Sequence, residues 1–241
     1  MSLEVDSAKL RQRVEGLSLI QTHLQLSLDN VLHDYVGSYF KGTIIDKENF
    51  FRECLALKLS GDSEGLLLEK CKLNFHRDAR SAIEYGLDLV FGWLSEDLLL
   101  DSLRMRGFNV ELSGEDRRRE FLPSGEIGTT PDFCIVVNGE RRPLEIVLSW
   151  NQYWEKTDTW DIRESKFRHL TRLGEESLCL GVELPKLQGF FIDMRDAKNA
   201  CTKRPNPAWG NKNCYTLTGI RAKLRSINLV LEGINQTKPM G

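Results

Sequence analysis

The sequence predicts an α/β (α+β) fold: a small mixed β-sheet with one tight hairpin, packed by helices, and a helical lobe at the N-terminus. Three observations carry this prediction. Apolar residues recur at helical spacing through roughly the first hundred positions. From position 108 the pattern changes to two-residue alternation. Asn138-Gly139 then separates two alternating runs within "TTPDFCIVVNGERRPLEIVLSW", the strongest short-range hairpin signal.

Each element follows in order. Residues 8–36 read as helix, with Leu10, Val14, Leu17, Ile20, Leu24 and Leu28 on one face. A second helical stretch covers 47–59, "SGDSEG" (60–65) breaks it, and 65–73 is helical again. Two helices follow at 77–92 and 95–106, separated near Gly92, with Ser95 as N-cap and Gly107 as stop. "FNVEL" (108–112) alternates as a strand, and a charged loop leads to the hairpin at 132–148. Residues 158–173 read as helix, capped by Asp158 or Thr159. Strands are expected at 177–184 and 189–193, a loop at 199–214, and mixed structure at 216–232. There is no internal repeat or low-complexity tract. The organisation is a helical lobe over 1–75 and a mixed core with a C-terminal extension over 76–241, forming one compact unit.

The chain has 241 residues, enough for a proper core, with 41% hydrophobic and 28% charged residues. No apolar run reaches the ~18 residues of a membrane span, so no membrane partner is expected. The N-terminus lacks a basic-then-apolar signal, which predicts a cytosolic-type compartment. The net charge of −2 argues against a strong autonomous grip on DNA. Basic clusters are local: Arg117 to Arg119, Arg141-Arg142, and Lys198 through Lys212. The six cysteines include no C-x-x-C pair, so a zinc knuckle is not indicated. Cys201 and Cys214 flank a Pro/Asn-rich segment and could approach each other, with free thiols as the default reading for all six.

The chemistry lies in the acids. With Asn138-Gly139 as the loop, Val137 pairs with Glu140, Cys134 with Pro143 and Phe133 with Leu144. Asp132 then falls opposite Glu145, and opposed residues share a face with Cβ atoms roughly 5 Å apart. On the preceding helix, Glu96 lies within about 60° of Leu99, Leu100 and Leu103. Glu84 lines up with Leu87 and Phe91 in the same way. Three inward acids therefore converge in the pattern: Glu96 (or Glu84), Asp132 and Glu145. Adjacent carboxylates persist when a proton, a protein cation or a metal intervenes. Oxygen ligands suit Mg²⁺ or Mn²⁺. In the bland alternative, Asp132 caps a turn and Glu145 pairs with Arg141 or Arg142.

A helix carrying Glu, a strand, "Pro131-Asp132", a short hairpin and "Glu145-Ile146-Val147" resemble the PD-(D/E)XK nuclease superfamily over roughly 76–170. One position departs from the pattern: the family's lysine, two residues after the second acid, is Val147 here. Lys166, in "Glu164-Ser165-Lys166-Phe167-Arg168", can supply the cation from the following helix, and Lys156 is the second option. The departure makes the chain most similar to the cap-snatching endonucleases at the N-terminus of bunyavirus-type polymerases, from segmented negative-strand RNA viruses. That resemblance brings in a histidine segment, matched by His76 in "Asn74-Phe75-His76-Arg77-Asp78" or by His33 in "Leu32-His33-Asp34-Tyr35".

The resemblance implies a metal-dependent endonuclease cleaving RNA, with capped host mRNA as substrate, inside a larger viral polymerase in the host cytoplasm. One or two Mn²⁺ (or Mg²⁺) ions would be held by His76, Glu96, Asp132 and Glu145. Asp132, Glu145 and Lys166 would carry the catalysis. Two other outcomes stay open: a DNA endonuclease of restriction or repair type on the same fold, and an interaction domain that has lost the chemistry.

Overall fold

The computed structural model describes residues 7–25, 82–113, 130–172, 177–207 and 210–234. Two compact units divide the chain: Met1–Leu99 with Arg119–Ile127, and Leu100–Arg118 with Gly128–Gly241. The expected boundary at 75/76, and the predicted helices at 47–59 and 65–73, lie outside the described residues. Among the described residues no helix is long and apolar enough to cross a membrane.

In the first unit, α1 (Ser7–Leu24) buries Leu10, Val14, Leu17, Ile20 and Leu24, the stripe expected from the sequence. Its Arg13 pairs with Asp88 at 2.6 Å. Asp88 belongs to α2 (Ala82–Met105), which is continuous where two helices were expected. Gly92 does not break it, because Leu87, Val90, Phe91, Trp93, Leu94 and Leu98 bury the surrounding turns. Ser95 is no N-cap: its hydroxyl donates back to the Phe91 carbonyl at 2.8 Å. Gly107 does stop the helix. Its φ is +84°, and the Phe108 and Gly107 amides return to the Leu103 and Arg104 carbonyls in a Schellman pattern.

The second unit holds two sheets. The larger contains β1 (Val110–Leu112), β2 (Phe133–Val137), β3 (Glu140–Ser149), β5 (Leu178–Glu183), β6 (Gln188–Asp193) and β9 (Arg225–Ser226), paired in that order. Its pairs are antiparallel except β3 with β5, which run parallel. The crossover between them carries α3 (Tyr153–Thr157), β4 (Thr159–Arg163) and α4 (Glu164–Arg172). After β6 come α5 (Met194–Ala200), β7 (Thr202–Asn206) and β8 (Lys212–Thr218); α6 (Ile227–Gly233) follows β9. The smaller sheet has the order β4-β8-β7.

Two predictions fail here. Residues 158–163 are not helical: Asp158 is left-handed at φ +55°, closing α3, and β4 follows with Trp160 and Ile162 buried. The expected 199–214 loop is largely the β7–β8 hairpin. Pro205 is tolerated because β7 is an edge strand.

One buried cluster joins the two sheets and α4: Trp154, Trp160, Ile162, Phe167, Leu170, Cys179, Phe190, Ile192 and Met194 are members, and Val147 packs against it. Trp154 and Trp160 each meet Phe190 edge-on at 5.2 Å. Gly181 makes this possible, since a Cβ there would lie 2.3 Å from the Phe190 ring.

Candidate active site

The hairpin was read correctly. Phe133 pairs with Leu144, Cys134 with Pro143 and Val137 with Glu140. Asn138 and Gly139 have φ of +55° and +82°, the left-handed pair a type I′ turn requires. Asp132 stands one residue before β2, beside the start of the ladder. Its main-chain carbonyl accepts from the Ser113 amide at 2.9 Å. Its carboxylate, 9% exposed as a residue, accepts from the Ile146 amide at 3.0 Å. That bond fixes Asp132 next to Glu145, which is 7% exposed. Of the hairpin arginines, Arg141 pairs with Glu111, and Arg142 with Asp193 at 2.7 Å.

Glu145 is paired with Lys166, whose Nζ lies 2.7 Å from Oε2. The same ammonium lies 3.5 Å from the Thr130 carbonyl. Phe167 and Leu170 are the buried residues of α4, Leu170 one turn along the face that carries Lys166, and Phe167 stacks on Tyr215 at 3.9 Å. Apolar packing thus aims Lys166 at the hairpin. Val147, where the resembling family has lysine, shares the Glu145 side of β3 but packs into the aromatic cluster. Lys156 is exposed at the end of α3.

The parallel register sets Cys179 beside Glu145. Burial, and then the charges of Glu145 and Asp132, push the Cys179 thiol well above its ordinary range, with Lys166 opposing in part. No signal within either segment could have placed Cys179, the Ile146 amide or the Thr130 carbonyl at this site, because a cross-strand register and a helix docking bring them there.

The donors gathered here are two carboxylates of the hairpin and nearby main-chain carbonyls. That hard-oxygen set fits Mg²⁺ or Mn²⁺, which are held by one or two carboxylates and keep several waters. Among the described residues no group of three His, Cys, Asp or Glu side chains converges as a metal cluster. Glu96 is half-buried on α2 in the first unit. His76, His33 and the Glu84 side chain lie outside the described residues.

Three other acids of the second unit are tied into the framework. Glu183 accepts from the Trp154 and Glu155 amides at 2.9 and 3.3 Å and from Gln188 at 2.7 Å. Asp161 accepts from Arg204, Asn206 and Thr216. Asp193 caps α5 and holds Arg142 and Arg195.

No family model matches the chain, and no curated protein matches its sequence.

Proposed function

We propose that this chain is a divalent-metal-dependent endonuclease that cleaves RNA phosphodiester bonds, of the kind that takes capped primers from host mRNA for a viral polymerase. The observation that carries the reading is the delivery of Lys166 from α4 to Glu145, beside Asp132, at 2.7 Å. That is the cation the strand lacks at Val147, supplied from the next helix.

Asp132 and Glu145 would hold the Mn²⁺ or Mg²⁺ ion. When bound, such an ion activates water and neutralises charge on the phosphoryl oxygens. The Ile146 amide keeps the Asp132 carboxylate in one orientation. Lys166, on a helix pinned by Phe167 and Leu170, supplies positive charge where the phosphate gains negative charge. Its carbon stem lets the ammonium follow that charge without moving the helix.

The test is cleavage of labelled single-stranded RNA and double-stranded DNA with Mn²⁺, Mg²⁺ or EDTA, with Asp132→Ala as control. RNA cleavage that needs metal and Asp132 is the expected result. Preferential cleavage of duplex DNA would move the assignment to the restriction and repair type. No cleavage of either, with no metal-dependent rise in Tm, would overturn the enzyme reading.

A further inference from the structure

Lys166 does more at this site than stand near a phosphate. Its ammonium contacts Glu145 Oε2 at 2.7 Å and lies 3.5 Å from the Thr130 carbonyl. These are oxygens of the kind a hard cation seeks. The Glu145 side chain is 9% exposed and that of Lys166 is 24% exposed. The carboxylate is therefore enclosed, while the ammonium keeps a route to solvent. The helix beneath it is held elsewhere, by the Phe167–Tyr215 stack and by Glu164, which binds Lys203 of β7 at 2.7 Å. Withdrawal of Lys166 is thus a side-chain rotation about a flexible stem and leaves α4 in place.

We propose that Lys166 sets the metal affinity of this site: its ion pair with Glu145 is a latch that a divalent cation must open. The inference rests on the metal-site reading above and goes beyond it. The residue that assists cleavage also fixes the metal concentration at which cleavage begins. Two physical effects produce this. A divalent ion and an ammonium sharing one enclosed carboxylate repel each other, and burial weakens the screening of that repulsion. The ion pair must also be given up, in whole or in part, before Glu145 can turn its lone pairs to the metal. Asp132 is the stationary partner, anchored by the Ile146 amide at 3.0 Å. Asp132 and Glu145 would hold the ion together, and Glu145 would be free to do so only once released from Lys166.

The experiment is calorimetric titration of the whole chain with Mn²⁺, without nucleic acid, so that turnover is not the readout. Lys166→Met keeps the stem and removes the charge; it should bind Mn²⁺ roughly tenfold more tightly than the native chain. Lys166→Arg keeps the charge and should bind no more tightly than the native chain. An unchanged Kd in Lys166→Met, with binding lost in Glu145→Ala, would overturn the latch and leave the metal site standing. Absence of Mn²⁺ binding in the native chain and in Lys166→Met alike would overturn the metal-site reading, and the latch with it. A second measurement uses the native chain, so that a folding defect in the variant cannot obscure the answer. Acylation of Lys166 by an amine-reactive ester, read by peptide mass spectrometry, should rise when Mn²⁺ is added. Labelling that is unchanged or lower in Mn²⁺ would overturn the latch.

Discussion

Asp161 and Glu145 are both enclosed carboxylates of the second unit, and they are held in different ways. Asp161, 4% exposed in its side chain, receives Arg204, Asn206 and Thr216 from the other two strands of its sheet. Those donors sit on paired strands, and the arginine is a planar fork with little freedom. Glu145 receives a lysine from a helix, at the end of a long flexible stem. The first arrangement fixes a sheet; the second neutralises charge with a group that can leave. A buried acid bound by rigid donors is architecture. One bound by a mobile ammonium beside a second acid is available for exchange.

The comparison breaks first at Asp132. Asp132→Ala should abolish cleavage in a gel assay while circular dichroism shows an intact fold. Full activity would remove the hairpin from the chemistry. Next, Lys166→Ala should slow turnover about a hundredfold, the effect of losing one group that stabilises transition-state charge. The Mn²⁺-induced rise in Tm should persist, since an ammonium is not a metal ligand, and should set in at lower Mn²⁺ than in the native chain. Lys156→Ala should leave the rate unchanged; the reverse pattern would place the cation on α3. Third, Mn²⁺ at a hundredfold excess over Kd should stabilise the native chain by about 2.7 kcal/mol. That gain should vanish in Glu145→Ala. Asp161→Ala should do the opposite. It should cost about 2 kcal/mol of stability through lost charged hydrogen bonds, seen as a lower Tm, and keep the metal-induced rise.

The smallest effect is a pH dependence at Asp193. Burial raises this carboxyl, but Arg195 and Arg142 outweigh it and hold the net pKa below its ordinary 3.8. Its stabilisation is therefore present above the unfolded value and is lost as pH falls through the folded one. Asp193→Asn should flatten the decline in Tm below about pH 4 and change little at neutral pH beyond a constant offset.

What could be read from the sequence was local. The hairpin was legible because Asn138-Gly139 specifies both turn dihedrals and the alternation specifies the faces. From that register Asp132 and Glu145 followed as neighbours; Lys166 was one of two lysines, with Lys156, offered for the cation missing at Val147, and its ion pair with Glu145 comes from the docking of α4. Elements decided by distant partners were not legible. Thr159–Arg163 looked like a helix start because Asp158 and Thr159 are good caps, yet pairing with β8 makes it a strand. Thr202–Asn206 is polar and contains proline, and only its position at a sheet edge makes it β7. Gly92 and Ser95 are local breaker and cap signals, and burial of the surrounding turns of α2 overrides both. Cys179 reached the site through a parallel pairing across the whole crossover.

That crossover also orders events in time. The β2–β3 hairpin closes through a two-residue turn, on the microsecond scale of about 1–10 μs typical of hairpins. It sets Asp132 and Glu145 side by side as soon as it forms. Lys166 is expected to follow, because in the native fold α4 lies in the crossover between β3 and β5 and after β4 of the smaller sheet. Non-local pairings of this kind come late, since their loop entropy precedes their reward. In that order of events the two carboxylates would face each other before their lysine arrives. A chain refolding in Mn²⁺ should therefore meet the ion before the latch exists, and reach its native state faster than one refolding in EDTA.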